Sequence, residues 1–435
     1  MSQFAQAAVS AAATTRPGLQ RRTAIVLIHG IGQQSPFETL NSYARTLAKE
    51  LAEKTGAKYR LEHRLAGRTD AEGTAWVESF LRIKPVDANE RGHIDVHEYY
   101  WAYLFQRSLT SRQVWRWVEE VWNRVGEQTV QRAAIVKEFG YEGQDFERRI
   151  LRAVSSFRLA WLRYGYAAAS ALLPTFNTVP LLGAALKWVQ EWVRSRLDAM
   201  LVDYVGDVAI YTTTSPLAAE YATRQKALNG AVAFTTAVLQ DAENDRVVLA
   251  GHSLGSVIAY DTVNRLIASE HLGRIDLRKL DGLITFGSPL DRILLYFLRD
   301  VASTDEVRLR ILEQIHSFRT RRFYEYVHAQ LGEVHADWLE RGKHVQWLNF
   351  YNANDPISSE LRFYEPVTNH ALPPTIADEG MNAAHARYWV SHEMFDRCLT
   401  DMGFLDEVPI VVMTEPGGGV GPSLPETPTP MPETR

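Results

Sequence analysis

The chain has 435 residues, 46% of them hydrophobic and 23% charged, enough for one large core with insertions or for two domains. Its formal net charge of −5 is small for this length and argues against a nucleic-acid binder, which needs a basic footprint; Arg319, Arg321 and Arg322 make only a local basic patch. The single cysteine, Cys398, leaves no intramolecular disulfide and no cysteine metal cluster, fits a reducing compartment, and reads as a small buried hydrophobe in a helix.

The N-terminal MSQFAQAAVSAAATTRPGLQRR is rich in Ala and Ser, and no Lys or Arg precedes its mildly apolar stretch. A secretory signal needs a basic start and a stronger apolar centre. Residues 1–20 are therefore expected to be a flexible leader, and the protein cytoplasmic. Thr23 to Ile28 is a short β-branched run ending at His29-Gly30-Ile31-Gly32, the mark of a buried strand and a tight turn. Residues 36–55 predict an amphipathic helix ending at Gly56. Strands are expected at Tyr59 to Leu65 and at His93 to Tyr100.

The next hundred residues differ. Seven of the eleven tryptophans lie between Trp101 and Trp192, with helical spacing in stretches such as Val114 to Val125. The expectation is a helical insertion over 101–205 that divides a core of residues 21–100 and 206–410. Tyr164 to Leu186 carries no charge, and about 20 apolar residues can span a bilayer. Pro174, Asn177 and Pro180 favour a buried hairpin or a cap that dips into a membrane surface.

Regular elements resume with an extended segment at Asp207 to Thr213 and a helix from Leu217 to Gln240. A buried strand, Asp245 to Ala250, leads to Gly251-His252-Ser253-Leu254-Gly255 and a helix from about Ser256 to Ser269. Leu283 to Phe286 is a strand ending at Gly287-Ser288-Pro289. A charged helical stretch is expected over about 291–343, with an insertion at 300–343. Val345 to Tyr351 is a strand ending at Asn352-Ala353-Asn354-Asp355-Pro356, and residues 385–400 form a last helix. Six of the eighteen prolines fall in the final twenty residues, so 415–435 reads as a disordered tail. Strands alternating with helices imply an α/β fold with a mostly parallel sheet.

The chemistry centres on Ser253. A G-x-S-x-G pentapeptide between strand and helix projects a serine from a sharp turn, and small residues on either side let that turn pack. The helix that follows points its N-terminus at the place where negative charge would develop, with the Leu254 N–H as one oxyanion donor. The loop after the first strand would supply another, most simply from Ile31, while His29 reads as structural. A triad also needs a carboxylate and a base, in the chain order Ser, acid, His. Asp355, on a stiff turn after a strand, is the first choice of acid and Asp291 its rival. His385, opening a helix after a Gly- and Asn-rich loop, is the first choice of base; His370 and His392 are alternatives.

These segments together, HGIG, GHSLGS, FGSP, NxxDP and a late AHxxYW, resemble the α/β-hydrolase superfamily of the lipase-like kind, over residues 23–400. The resemblance implies an α/β-hydrolase fold, a Ser253-His385-Asp355 triad and hydrolysis of a carboxylic ester through an acyl-enzyme, with no metal or organic cofactor. The Trp-rich insertion departs from the minimal fold. Aromatic rings of this kind suit interfaces, so a lipid or long acyl ester is the expected substrate, with peripheral membrane contact through the insertion. The same triad would serve an acyltransferase or a thioesterase, and a non-catalytic member that binds a membrane or partner is the remaining alternative.

Overall fold

The computed structural model describes residues 15–30, 35–70, 73–87, 90–105, 206–213, 217–290, 344–355, 357–361, 364, 366–373 and 384–409. The expectations for the Trp-rich insertion beyond residue 105, for 164–186, for 291–343 and for the tail lie outside them.

An eight-stranded sheet organises the chain. Its strands are β2 (Arg22–Ile28), β3 (Tyr59–Thr69), β4 (Ala75–Pro85), β5 (His93–Tyr99), β6 (Arg246–His252), β7 (Leu280–Phe286), β8 (Gln346–Asn352) and β9 (Thr368–Leu372). Their order across the sheet is β3-β4-β5-β2-β6-β7-β8-β9. From β5 to β9 every neighbouring pair is parallel, and only β3 and β4 add antiparallel pairings at one edge. The flanking helices are α1 (Glu38–Thr55), α2 (Gly206–Tyr211), α3 (Ala219–Gln240), α4 (Leu254–His271) and α5 (His392–Asp401). The protein is thus an α/β structure with a mostly parallel mixed sheet.

Side chains on a strand alternate between its two faces, so a central strand reads as an unbroken apolar run only when both faces are covered. β6 shows this directly. Val247 and Leu249 join a core with Ile258 and Val263 of α4, whereas Val248 and Ala250 join a second core with Tyr43 and Leu47 of α1 and Phe395 and Leu399 of α5. α1 buries Leu40, Tyr43, Ala44, Leu47 and Leu51, the spacing of a helix with one apolar face. Cys398 is buried in the second core, as expected of a small hydrophobe, and burial pushes its thiol well above its ordinary range. Among the described residues no helix is long and apolar enough to cross a membrane.

Four elements differ from the sequence expectation, the simplest being the last helix, which begins at His392 rather than 385, after a 3-10 turn at Arg387–Val390 and an extended Ser391. Asp207 to Thr213 is not extended: Gly206–Tyr211 is the helix α2. Its residues Val208, Ala209, Ile210 and Tyr211 are all buried, so no alternation marks either structure. Thr212 and Thr213 donate their hydroxyls to Val208 O and Ala209 O, at 2.8 Å each, which fastens the β-branched residues to the helical turn. The leader is ordered at its end: β1 (Thr15–Gly18) pairs antiparallel with β10 (Asp406–Pro409) in a separate two-stranded sheet. Finally, β4 falls where the sequence suggests no strand. Its buried face carries Glu78, Phe80 and Arg82, and charges turned inward hide the apolar period. Glu78 is satisfied by Arg68 and His97, and Arg82 by Asp95.

Candidate functional site

The parallel strands all point to one edge of the sheet, and Ser253 and Asp355 follow the ends of β6 and β8 there. β6 ends at His252, Ser253 follows, and α4 begins at Leu254. Strand-to-helix reversal within one residue forces Ser253 to φ 53°, ψ −129°; Phe37 is the other non-glycine residue at positive φ among the described residues. A residue held there costs about 1–3 kcal/mol and persists only where its surroundings impose it. The surroundings are visible. The Ser253 N–H donates to Phe286 O at 3.1 Å, and the Ser256 N–H donates to Ser253 O at 3.0 Å. Ser256 Oγ lies 2.5 Å from Ser253 O and 2.7 Å from Ser288 Oγ. Gly255 faces the end of β2 so closely that a Cβ there would lie 2.2 Å from His29 O. The turn could not form with a side chain at that position.

Ser253 is 1% exposed. It heads an 18-residue helix whose first N–H groups have no acceptor within the helix. The Leu254 N–H is among them, at the positive end of the helix dipole. Across the turn lies Gly30: a Cβ built there would sit 2.8 Å from Ser253 Cβ. Ile31, the other expected oxyanion donor, lies outside the described residues.

His29 is structural in the sense expected. Its Nδ1 lies 2.7 Å from Gly30 O, and its Nε2 accepts the Trp101 N–H at 3.2 Å. Both nitrogens are therefore in use, with the proton on Nδ1. Burial holds the ring at about 4, against the opposing pull of the Gly30 carbonyl. Trp101 stacks on it at 5.2 Å and donates its indole N–H to His29 O.

Asp355 follows β8, on a turn tied by Asn352. Asn352 Oδ1 accepts the Asn354 N–H, and Asn352 O accepts the Asp355 N–H. Asp355 Oδ2 lies 2.9 Å from His385 Nδ1 and accepts the Tyr388 hydroxyl at 2.9 Å, while Oδ1 accepts the Ile357 N–H at 2.8 Å. Burial alone would raise this carboxyl. The hydrogen bond and charge of His385, with those two further donors, outweigh burial and hold it well below the ordinary carboxylate range. An ionised Asp355 can only accept, so His385 carries its proton on Nδ1 and keeps a lone pair on Nε2. Among the described residues, neither His385 Nε2 nor Ser253 Oγ has a hydrogen-bond partner, and both are buried. These are the two atoms that a serine nucleophile and its base would use.

The rings close over Gly287, at the end of β7. That residue has φ 61°, and a Cβ on it would lie 3.1 Å from each of His252, His385 and Tyr388. A side chain there would have to adopt a left-handed φ and push all three rings back by tenths of an ångström, which accounts for the glycine of the FGSP segment. His252, one residue before Ser253, has its ring centroid 4.7 Å from that of His385.

The rival residues lie elsewhere. His370 is on β9, stacked on Phe350 and 3.3 Å from Asp401. His392 opens α5, mostly exposed, with Nδ1 2.6 Å from Glu50. Asp291 lies outside the described residues. Sequence reasoning did not single out His252, or Ser256 and Ser288. The pentapeptide leaves its second position open to any residue, and the serine hydroxyls meet only through the fold. Tyr388 stood in the AHxxYW segment, and its spacing of three from His385 was the available signal.

The fold and site define an α/β protein with Ser253, His385 and Asp355 at the carboxyl edge of a mostly parallel sheet. No protein-family model, curated protein or solved structure matches the chain.

Proposed function

We propose that the protein is a serine hydrolase of the α/β-hydrolase type that cleaves a carboxylic ester. One observation carries the reading. A serine in a strained strand-to-helix turn and a histidine fixed by a carboxylate both keep their reactive atoms unpartnered at the same sheet edge. In the proposed mechanism His385 Nε2 takes the Ser253 proton as Oγ attacks the acyl carbonyl. The carbonyl oxygen, now negative, is met by the Leu254 N–H, with the Ile31 N–H as the second donor the sequence suggests. His385 gives its proton to the departing alkoxide. Water then attacks the acyl-enzyme, with His385 again as base and Ser253 as leaving group. Asp355 keeps the imidazole in the useful tautomer and offsets its charge while it is protonated. Apo geometries of such sites are commonly loose, and their hydrogen bonds tighten with substrate in place.

The substrate part of the proposal rests on sequence. Seven of eleven tryptophans lie in residues 101–192, which separate β5 from β6 in the sequence; Trp101 packs on His29, and the other six suit an apolar chain with a polar head. The proposed substrate is therefore a lipid or a long acyl ester. Hydrolysis of p-nitrophenyl esters of short and long acyl chains, with and without phospholipid vesicles, tests both parts. Turnover lost in Ser253→Ala supports the hydrolase, and a preference for long chains with stimulation by vesicles supports the lipid substrate. A folded wild type inactive on every ester overturns the first; equal rates on short chains, unmoved by vesicles, overturn the second.

A further inference from the structure

We infer that His252, the residue before the nucleophile, is a positioning residue that ties the backbone of the base to the nucleophile turn; the inference rests on the triad proposed above. Three observations carry it. His252 Nε2 lies 3.0 Å from the carbonyl oxygen of His385. A carbonyl can only accept, so the neutral His252 ring bears its proton on Nε2 and donates it there. His252 is also joined by one peptide bond to Ser253, so a single side chain spans from the nucleophile to the main chain of the base. Finally, its other edge faces Gly30: a Cβ on that glycine would lie 3.0 Å from His252 Nδ1. The three segments that must keep register for acyl transfer meet at this one imidazole.

The packing leaves the ring little freedom. Phe286, Trp389 and Tyr388 surround it, with centroids 5.2, 4.8 and 5.9 Å away, and His385 lies over it at 4.7 Å. Asp355 fixes the His385 ring through Nδ1 but does not by itself fix the His385 main chain. The hydrogen bond from His252 does, and it acts on the residue's own carbonyl. The pairing also needs His252 to stay uncharged, since His385 becomes a cation during the reaction. Burial, aided by the charge of His385, pushes His252 down to about 3, so it stays neutral near neutral pH.

The geometry separates donor from shape. In His252→Gln the side-chain amide can replace the Nε2–H, whereas His252→Phe fills the box without a donor. Near-attack geometry is sensitive to ångström displacements, so losing this tie is expected to lower kcat about 10- to 100-fold. The experiment compares fluorophosphonate labelling rates and kcat against pH for wild type, His252→Gln, His252→Phe and Ser253→Ala, with folding checked by circular dichroism and thermal melting. The expected result is slow labelling and low kcat in the Phe variant, a small change in KM, a displaced acidic limb of the pH profile, and recovery to within a few-fold in the Gln variant. Wild-type rates and an unmoved profile in His252→Phe would overturn the inference while leaving the serine hydrolase standing, as would equal impairment of the Gln and Phe variants. If either variant melts before assay temperature, the other decides: a folded Gln variant must be near wild type, and a folded Phe variant must be slow. Absence of labelling in the folded wild type would instead remove the proposed function itself.

Discussion

His97–Glu78 and His385–Asp355 are both imidazole–carboxylate pairs at this sheet, and only the second has the surroundings of a site. His97 and Glu78 are 2.5 Å apart on the faces of β5 and β4; His385 and Asp355 are 2.9 Å apart at the strand ends. In the first pair Arg68 also holds Glu78, and Phe80 stacks on the imidazole at 4.5 Å. Burial would raise Glu78, but His97 and Arg68 keep it below its ordinary range, so the cluster is an ion network inside the sheet. At the second pair Gly287 and the ring of His252 lie against the imidazole, and His252 is followed by the strained Ser253 that heads an 18-residue helix. A histidine held by an acid is therefore not a site by itself. Placement at the carboxyl edge, next to a forced turn, makes the difference.

That contrast can be broken by mutation. The largest effect is expected at the strand ends: Asp355→Asn and His385→Ala should each lower kcat about 10³- to 10⁴-fold, because the tautomer or the base is lost. Ester turnover by purified, folded variants checks this. At the sheet face the effect should be on stability. Glu78→Ala leaves Arg68 and His97 without their shared carboxylate, and breaking a buried pair costs about 3–5 kcal/mol. Chemical denaturation should find that loss, while the kcat of the remaining folded protein stays near wild type. Loss of turnover without loss of stability at Glu78 would erase the distinction.

A smaller effect is expected for Tyr388→Phe. The hydroxyl donates to Asp355, accepts the Asn352 N–H at 3.0 Å and lies 2.8 Å from Ser358 Oγ, so its removal takes a partner from three buried groups. The expected cost is about 1–3 kcal/mol in denaturation. Acid sharpens the comparison further. His252 and His29 are held neutral in the fold, at about 3 and about 4, against an ordinary value of 6.5. The unfolded chain binds protons there that the folded one does not, so their contribution is complete above about pH 6.5 and is lost as pH falls toward 4 and 3. Asp355, also depressed, adds stability above about pH 4 that disappears at still lower pH. Stability measured from pH 7 to 4 should therefore fall with a shallower slope in His252→Phe than in wild type; equal slopes would contradict the buried neutral ring. The smallest effect is expected for His370→Ala and His392→Ala, whose kcat should match wild type in the same ester assay.

The parts of the molecule legible in the sequence are those with local signals. β2 and β6 are apolar runs because both their faces are covered, and the turn at Ser253 needs glycine where the chain passes His29 O. Ser253 and Asp355 each sit in a turn just after an apolar strand, which is a local signal. What stayed hidden depends on partners distant in sequence. β4 turns Glu78 and Arg82 inward because Arg68, His97 and Asp95 await them. α2 is docked through Tyr211, which donates its hydroxyl to Asp261 of α4, fifty residues on. β1 is ordered by β10, from the far end of the described chain. His252 occupies a position at which the motif accepts any residue, so its bond to His385 appears only once β6 and the segment before α5 are side by side.

The central claim is that Ser253 is an activated nucleophile. Reaction of the full-length protein with a fluorophosphonate, followed by peptide mass analysis, tests it most directly. A single phosphonyl adduct on the peptide containing Ser253, absent in Ser253→Ala and much slower in His385→Ala, is the expected result. A folded protein that remains unmodified, or an adduct that persists in Ser253→Ala, would contradict the account.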